Sequence, residues 1–189
     1  MKLPNLTNLE QLCSESDGID QRISDSKSKL AALPAEEKKL LETATGPEDE
    51  GALNALSLIA SRERLLNRDI QLAGQERVGL AGRLLNEATA IGNAVKNALL
   101  ETSKNVLADA DLRLQDLYPV ERDRRKILNA MQSGSYSVAS LPVLRPIQSL
   151  LSSFPRFVPG QQDEVEFAKL VLRNSHRALA AIQAAEATA

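Results

Sequence analysis

The sequence predicts an all-α protein: an elongated antiparallel helical hairpin or coiled-coil bundle, with a long central helix and a Pro/Ser-rich connecting segment. Three observations predict it. Leu and Ala fill 56 of the 189 positions, and both are strong helix formers. There are three Phe, two Tyr and no Trp, too few for sandwiched strands, which favour aromatic and β-branched side chains. Apolar residues recur at alternating three- and four-residue spacing over long stretches, the stripe left by helices packed along a narrow seam.

The first helix is expected to open at Thr7-Asn8-Leu9-Glu10, which fits a capping box with Thr7 at the N-cap and Glu10 three residues on. From there positions 9, 12, 16, 19, 23, 26, 30 and 33 read Leu, Leu, Ser, Ile, Ile, Ser, Leu, Leu. The two Ser residues weaken this stripe, and Asp17-Gly18 is a candidate break. Pro34 is expected to kink the helix or to start a new one at Ala35. Thr45-Gly46-Pro47 reads as a turn, with Pro47 suited to a first helical position and Glu48, Asp49 and Glu50 placing negative charge at the next N-terminus.

No proline occurs between positions 48 and 118. Leu56, Ile59, Leu66, Ile70, Ala73, Leu80, Leu84, Ile91 and Ala94 follow one heptad stripe, interrupted by Glu63, Arg77 and Glu87. The stripe then changes phase to Val95, Leu99, Thr102, Val106 and Leu117, a stutter. Gly74, Gly79, Gly82 and Gly92 each cost about 1 kcal/mol against Ala inside a helix. They admit three readings: a bend or a join between two helices near Gly74–Gly82, close helix approach at small residues, or a functional hinge.

Tyr118-Pro119 ends this stretch. A short helix follows over 120–132, with Ile127, Leu128 and Met131 on one face. Residues 134–162 carry Pro142, Pro146, Pro155 and Pro159, much Ser, and Tyr136, Phe154 and Phe157. They are too apolar for a disordered linker, and a short helix is expected over 146–153. The last helix runs from about Gln162 to Ala185, with Asp163 and Glu164 at its start. Its stripe is Val165, Ala168, Leu172, Ser175, Leu179 and Ile182, widened by Phe167, Leu170 and Val171. The chain thus divides into a hairpin over 1–118, a short helix plus Pro/Ser-rich apolar segment over 119–162, and a helix over 163–189 returning along the long one.

No apolar run approaches the roughly 18 residues of a bilayer-crossing helix. Asn5, Asn8 and Glu10 interrupt any secretory-signal core at the N-terminus. Cys13 is the one cysteine, so no internal disulfide forms and a cytoplasmic location is expected. The net charge of −2 conceals a gradient: residues 1–50 carry −5, 51–118 none, 119–162 +4 and 163–189 −1. An acidic end and a basic middle attract each other, within a chain or between chains.

No catalytic or cofactor-binding motif stands out. The glycines form no phosphate loop, there is no Gly-x-Ser-x-Gly elbow, and one His with one distant Cys makes no zinc site. His176 reads as a solvated or seam-edge side chain, and Cys13 as a small buried hydrophobe. Asp109 and Asp111, two apart on a helix, diverge and form no carboxylate pair.

Two stretches are candidate sites. Arg122, Arg124, Arg125 and Lys126 make a basic patch that reads as an internally paired helix face, a dock for the acidic N-terminal region, or a phosphate contact. Leu141, Leu144, Ile147, Leu151, Phe154 and Phe157 read either as a cover folded over the end of the bundle or as a partner-binding surface. An amphipathic membrane-surface segment edged by Arg145 and Arg156 is a further alternative.

The function expected is that of a non-catalytic helical interaction protein: a coiled-coil scaffold, adaptor or structural component. Its partner is a protein or a second copy, because a seam of this kind leaves apolar surface exposed in a lone chain. The alternatives are a helical chaperone for a secretion or virion-assembly client, or a peripheral membrane or nucleic-acid binder; the acidic or neutral flanks of the basic patch count against nucleic acid and membrane.

Overall fold

The computed structural model describes residues 4–44, 46, 49–115, 119–132 and 144–188. All regular structure among them is helical: α1 (Thr7–Thr43), α2 (Glu50–Leu114), α3 (Glu121–Gln132), α4 (Leu144–Ser153) and α5 (Glu164–Thr188). The protein is an all-α helical bundle built on one long central helix. Its contacts form two compact units. A hairpin unit comprises Gln11–Arg83, and a bundle unit comprises Met1–Glu10 with Leu84–Ala189.

In the hairpin unit α1 and α2 run antiparallel. Asp20 pairs with Arg77 at 2.9 Å, Arg22 with Asp69 at 3.3 Å and with Glu76 at 3.1 Å, and Glu36 with Arg62 at 3.8 Å. Numbers rise on one helix as they fall on the other. These pairs are largely exposed, so they fix register more than they stabilise. The hydrogen bond Arg22 donates to Glu76 outweighs partial desolvation and raises the guanidinium further above its ordinary pKa, with the charges of Glu76 and Asp69 adding to it. Ile23, Ser26, Leu30 and Leu33 line the seam from α1; Ile59, Leu66, Ile70, Ala73 and Leu80 line it from α2.

The helix starts differ in detail from the sequence expectation. Asn5, not Thr7, caps α1: its Oδ1 accepts from the Thr7 backbone N–H at 3.0 Å and from the Thr7 hydroxyl at 2.7 Å. Asx side chains take this role because they reach the N–H groups that a first turn leaves without partners. Asp49 caps α2 through the Ala52 N–H at 3.1 Å. Asp163 caps α5, accepting from Val165 at 2.9 Å and Glu166 at 3.2 Å. Pro34 lies exposed inside α1, which neither restarts at Ala35 nor breaks at Gly18. Thr45, Pro47 and Glu48 of the expected turn lie outside the described residues.

α2 is one helix of 65 residues, which overturns the reading of two helices joined near Gly74–Gly82. A Cβ at Gly74, Gly79 or Gly82 would meet nothing within 4 Å. Close approach occurs at Gly92 instead, where a Cβ would lie 3.4 Å from Phe154 Cε1 and 3.8 Å from Val171 Cγ1.

The stutter also falls earlier than the residue types suggest. Leu80, Leu84, Ala88, Ile91 and Val95 are buried, while Ala94 is exposed and Glu87 half-buried. Two successive four-residue steps therefore carry the change of phase. Beyond it the buried face widens to include Gly92, Ala98, Leu99 and Thr102. In the hairpin unit α2 meets one helix; in the bundle unit α5 and the segment after α4 both lie against it.

On α5 the buried stripe is Val165, Ala168, Val171, Ser175, Ala178, Ile182 and Ala185, with Leu172 and Leu179 displaced to its edge. Small residues at the centre bring the helix backbone close to its neighbours, and the leucines flank the contact.

Four polar side chains are buried on these seams. Ser26 Oγ donates to Asp69 Oδ2 at 2.7 Å, and Thr102 Oγ1 donates to the Ala98 carbonyl at 2.9 Å. Ser16 and Ser175 are fully buried and their hydroxyls have no hydrogen-bond partner among the described residues. A buried hydroxyl without a partner costs about 1–3 kcal/mol. Ser16→Ala and Ser175→Ala are therefore each expected to leave the thermal midpoint unchanged or raise it by a few degrees; a fall of several degrees in either variant would contradict the orphaned state.

Candidate functional site

The segment from α4 to α5 is the part of the chain that the sequence marks for recognition. Pro146 sits in the first turn of α4, where its missing N–H leaves no intrahelical bond unmade. α4 begins at Leu144 rather than at 146 and closes with Ser152 and Ser153, whose hydroxyls donate to the Gln148 and Ser149 carbonyls at 2.7 Å each. Gln148 Nε2 donates to the Gln132 carbonyl at 2.7 Å and to the Met131 carbonyl at 3.4 Å. The start of α4 thus satisfies the C-terminus of α3, whose last carbonyls lack helical partners. Gln148→Ala is expected to cost about 1 kcal/mol and to speed amide exchange in α3 selectively; uniform exchange across the bundle unit would show that this link is not specific.

After α4 the chain has no regular secondary structure over residues 154–158 and turns at Pro159-Gly160. Gly160 has φ +78°, and Gln161 N–H donates to the Val158 carbonyl at 3.1 Å. Pro followed by a left-handed residue fits a type II turn, which favours Gly at that position. The turn delivers the chain to the Asp163 cap and α5.

The six residues read as a cover or a partner surface are placed as follows. Leu144, Ile147 and Phe154 are buried, at 3%, 0% and 6% exposure. Leu151 and Phe157 are half-buried. Leu141 lies outside the described residues. α4 packs on α5, Phe154 sits against Gly92, and Phe157 meets Phe167 with ring centroids 5.2 Å apart. The inward face of this segment is thus taken up by its own chain, and Leu144, Ile147 and Phe154 offer no free surface.

The basic patch is largely paired. Arg124 Nε lies 3.2 Å from Asp111 Oδ1 and its side chain is 17% exposed. Arg125 pairs with Glu121, and Lys126 with Asp123 at 3.6 Å. Arg122 is exposed. Asp109 turns to Arg113 at 2.9 Å, so Asp109 and Asp111 diverge as their spacing implies.

His176 Nε2 lies 3.0 Å from Glu10 Oε1, both side chains about half exposed. Glu10 thus faces α5 rather than closing a capping box. Cys13 is buried. Among the described residues no group of three or more His, Cys, Asp or Glu side chains could hold a metal ion, and no helix is long and apolar enough to cross a membrane.

Two features escape a reading of motifs. The first is an apolar row on α2 of the hairpin unit: Leu58, Leu65 and Leu72 are 54%, 66% and 45% exposed. The signal for it was the exact seven-residue spacing, hidden beside the stronger stripe. The second is a cleft of about 480 Å³ in the bundle unit, between Gly92, Asn93 and Lys96 of α2, Arg156 and Phe157, and Phe167 of α5. Nothing local in the sequence brings those positions together.

The fold and these surfaces define an all-α bundle with no assigned chemistry. No family, curated protein or solved structure matches the chain.

Proposed function

We propose that this chain is a non-catalytic helical interaction protein, a coiled-coil scaffold or structural component of a larger assembly in the cytoplasm. The observation that carries the reading is the exposed row Leu58, Leu65 and Leu72. It lies about 100° round the helix from the seam residues Ile59, Leu66 and Ala73, since each residue advances the helix by that angle. Covering such a row removes apolar area from water at about 25 cal/mol per Å², and its heptad spacing suits a further helix. Leu65 also lines a groove with Ala32, Leu33 and Leu66, edged by Lys29, Glu36 and Arg62. Both charge signs stand along that edge, so two copies meet there without a like-charge clash, and a second copy is the partner assigned.

Phosphate-bearing partners have less support, because Arg124, Arg125 and Lys126 already have carboxylates beside them. Light scattering on the purified chain at micromolar concentration is expected to give a multiple of the 20.5 kDa chain mass. The triple substitution Leu58→Glu, Leu65→Glu, Leu72→Glu is expected to return it to the monomer. A clean monomer for the unchanged chain, or an oligomer indifferent to the triple substitution, would overturn the assignment.

A further inference from the structure

The bundle-unit cleft has a composition that the interaction surface does not account for. Its lining is Ala88, Thr89, Gly92, Asn93 and Lys96 from α2, Pro155, Arg156 and Phe157 from the segment after α4, and Phe167 and Val171 from α5. Two of these side chains are cationic and none is acidic. Lys96 and Arg156 form no ion pair with any described residue, unlike the paired cations of α3. Lys96 Nζ stands 5.2 Å from the centre of the Phe154 ring, a cation–π placement that holds an ammonium over an apolar surface. The Phe157–Phe167 pair supplies an aromatic wall. Thr89 and Asn93 are exposed on the α2 side.

The floor exists because of Gly92. It is the buried glycine of α2, and a Cβ there would already touch Phe154 and Val171. A larger residue at 92 would project into the space that the cleft occupies. The volume of about 480 Å³ lies within the usual range for small-molecule sites, about 300–1,000 Å³ lined by apolar groups with a few polar ones to orient the ligand.

We infer that this cleft binds a small amphiphilic carboxylate: a monoanionic head between Lys96 and Arg156, and an apolar body on Gly92, Phe157, Phe167 and Val171. Two cations above low-dielectric walls concentrate positive potential at the mouth. Charge-assisted hydrogen bonds from ammonium and guanidinium are the strong ones for a carboxylate, and Asn93 and Thr89 can complete its solvation. A bare inorganic anion would leave the apolar walls unused, and an uncharged hydrocarbon would leave both cations unanswered. The head and body could belong to a free aliphatic acid or to a peptide's terminal carboxylate beside an apolar side chain.

The test is titration of the full chain, followed by amide shifts of Thr89, Asn93 and Arg156. One arm uses decanoate against decanol; the other uses a blocked tripeptide ending in a free leucine carboxylate against its amide. Saturable binding of an acid, at least tenfold tighter than its uncharged counterpart, is expected, and the tighter acid names the source. Lys96→Met and Arg156→Gln are each expected to weaken the acid about tenfold while leaving the helical signal intact. Gly92→Leu is expected to weaken acid and uncharged analogue alike, and Thr89→Leu at the exposed rim provides the same steric test should Gly92→Leu fail to fold. Equal affinity for acid and uncharged analogue, or Lys96→Met and Arg156→Gln variants that bind as the unchanged chain does, would overturn the inference. So would the absence of saturable binding in both arms. Shifts confined to Leu58, Leu65 and Leu72 would also overturn it, placing binding on the hairpin unit.

Discussion

Ile147→Ala is expected to destabilise the protein by about 2–5 kcal/mol, the usual range for deleting most of a fully buried aliphatic side chain. Ile147 has 0% exposure, and α4 packs on α5. Removing three carbons there loses transfer free energy and leaves a cavity that its neighbours refill only in part. The thermal midpoint is expected to fall by several degrees to more than ten, at about 2–4 °C per kcal/mol for a chain of this size. Leu112→Ala is the internal comparison, because Leu112 is 63% exposed near the end of α2 and its truncation should move the midpoint little. The contrast separates the two readings of the apolar segment. A cover that belongs to the core loses stability when Ile147 is cut; a detachable partner-binding peptide would not, and an unchanged midpoint for Ile147→Ala would restore that second reading.

The combined substitution Gly74→Ala, Gly79→Ala, Gly82→Ala is expected to stabilise the protein by about 1.5–3 kcal/mol, from roughly 0.5–1 kcal/mol per site. All three sites lie inside the continuous helix α2, and a Cβ at each meets nothing within 4 Å. The gain arises chiefly in the unfolded chain, which loses conformational freedom when glycine is replaced. Thermal or denaturant unfolding measures it directly. A loss of stability would mean that these glycines serve a bend or hinge. Gly92→Ala separates helix propensity from packing: its Cβ would sit at van der Waals distance from Phe154, so the gain there should be smaller than at the other three.

Much of the architecture was legible because helices announce themselves locally. Every position of the first-helix stripe, from Leu9 to Leu33, is buried or half-buried, including both serines. Those serines weaken an apolar pattern, but a small side chain suits a close seam, and Ser26 finds Asp69 on the facing helix. The helix over 120–132 and the acidic start of the last helix at Asp163 follow from helix-terminus chemistry and proline placement. What misled was context. Thr7 matches a cap motif, yet its hydroxyl donates to Asn5, whose Oδ1 takes the Thr7 N–H as well. Leu172 and Leu179 outrank Val171 and Ala178 in hydrophobicity, yet the smaller pair occupies the middle of the contact. The glycines of α2 look like a break, but a helix whose neighbours hold it can carry them at modest cost.

The candidate site was half legible. Composition separated the aromatic and proline-rich end from the aliphatic remainder, and that end supplies Pro155, Arg156 and Phe157 to the cleft, whose other walls come from α2 and α5. It could not show that Leu144, Ile147 and Phe154 face inward, or that Lys96, some 60 positions before Arg156, shares a cleft with it.

The sequence by itself determined that the chain is helical, roughly where its helices lie and which stripe the first one buries, because propensity, capping and the 3.6-residue period act over a few neighbouring residues. The tertiary structure alone decided how wide each buried face is, where the phase of α2 changes, and which cations stand together without a carboxylate. Those properties depend on how many elements meet a given helix face, and the residues that set them are far apart in the chain.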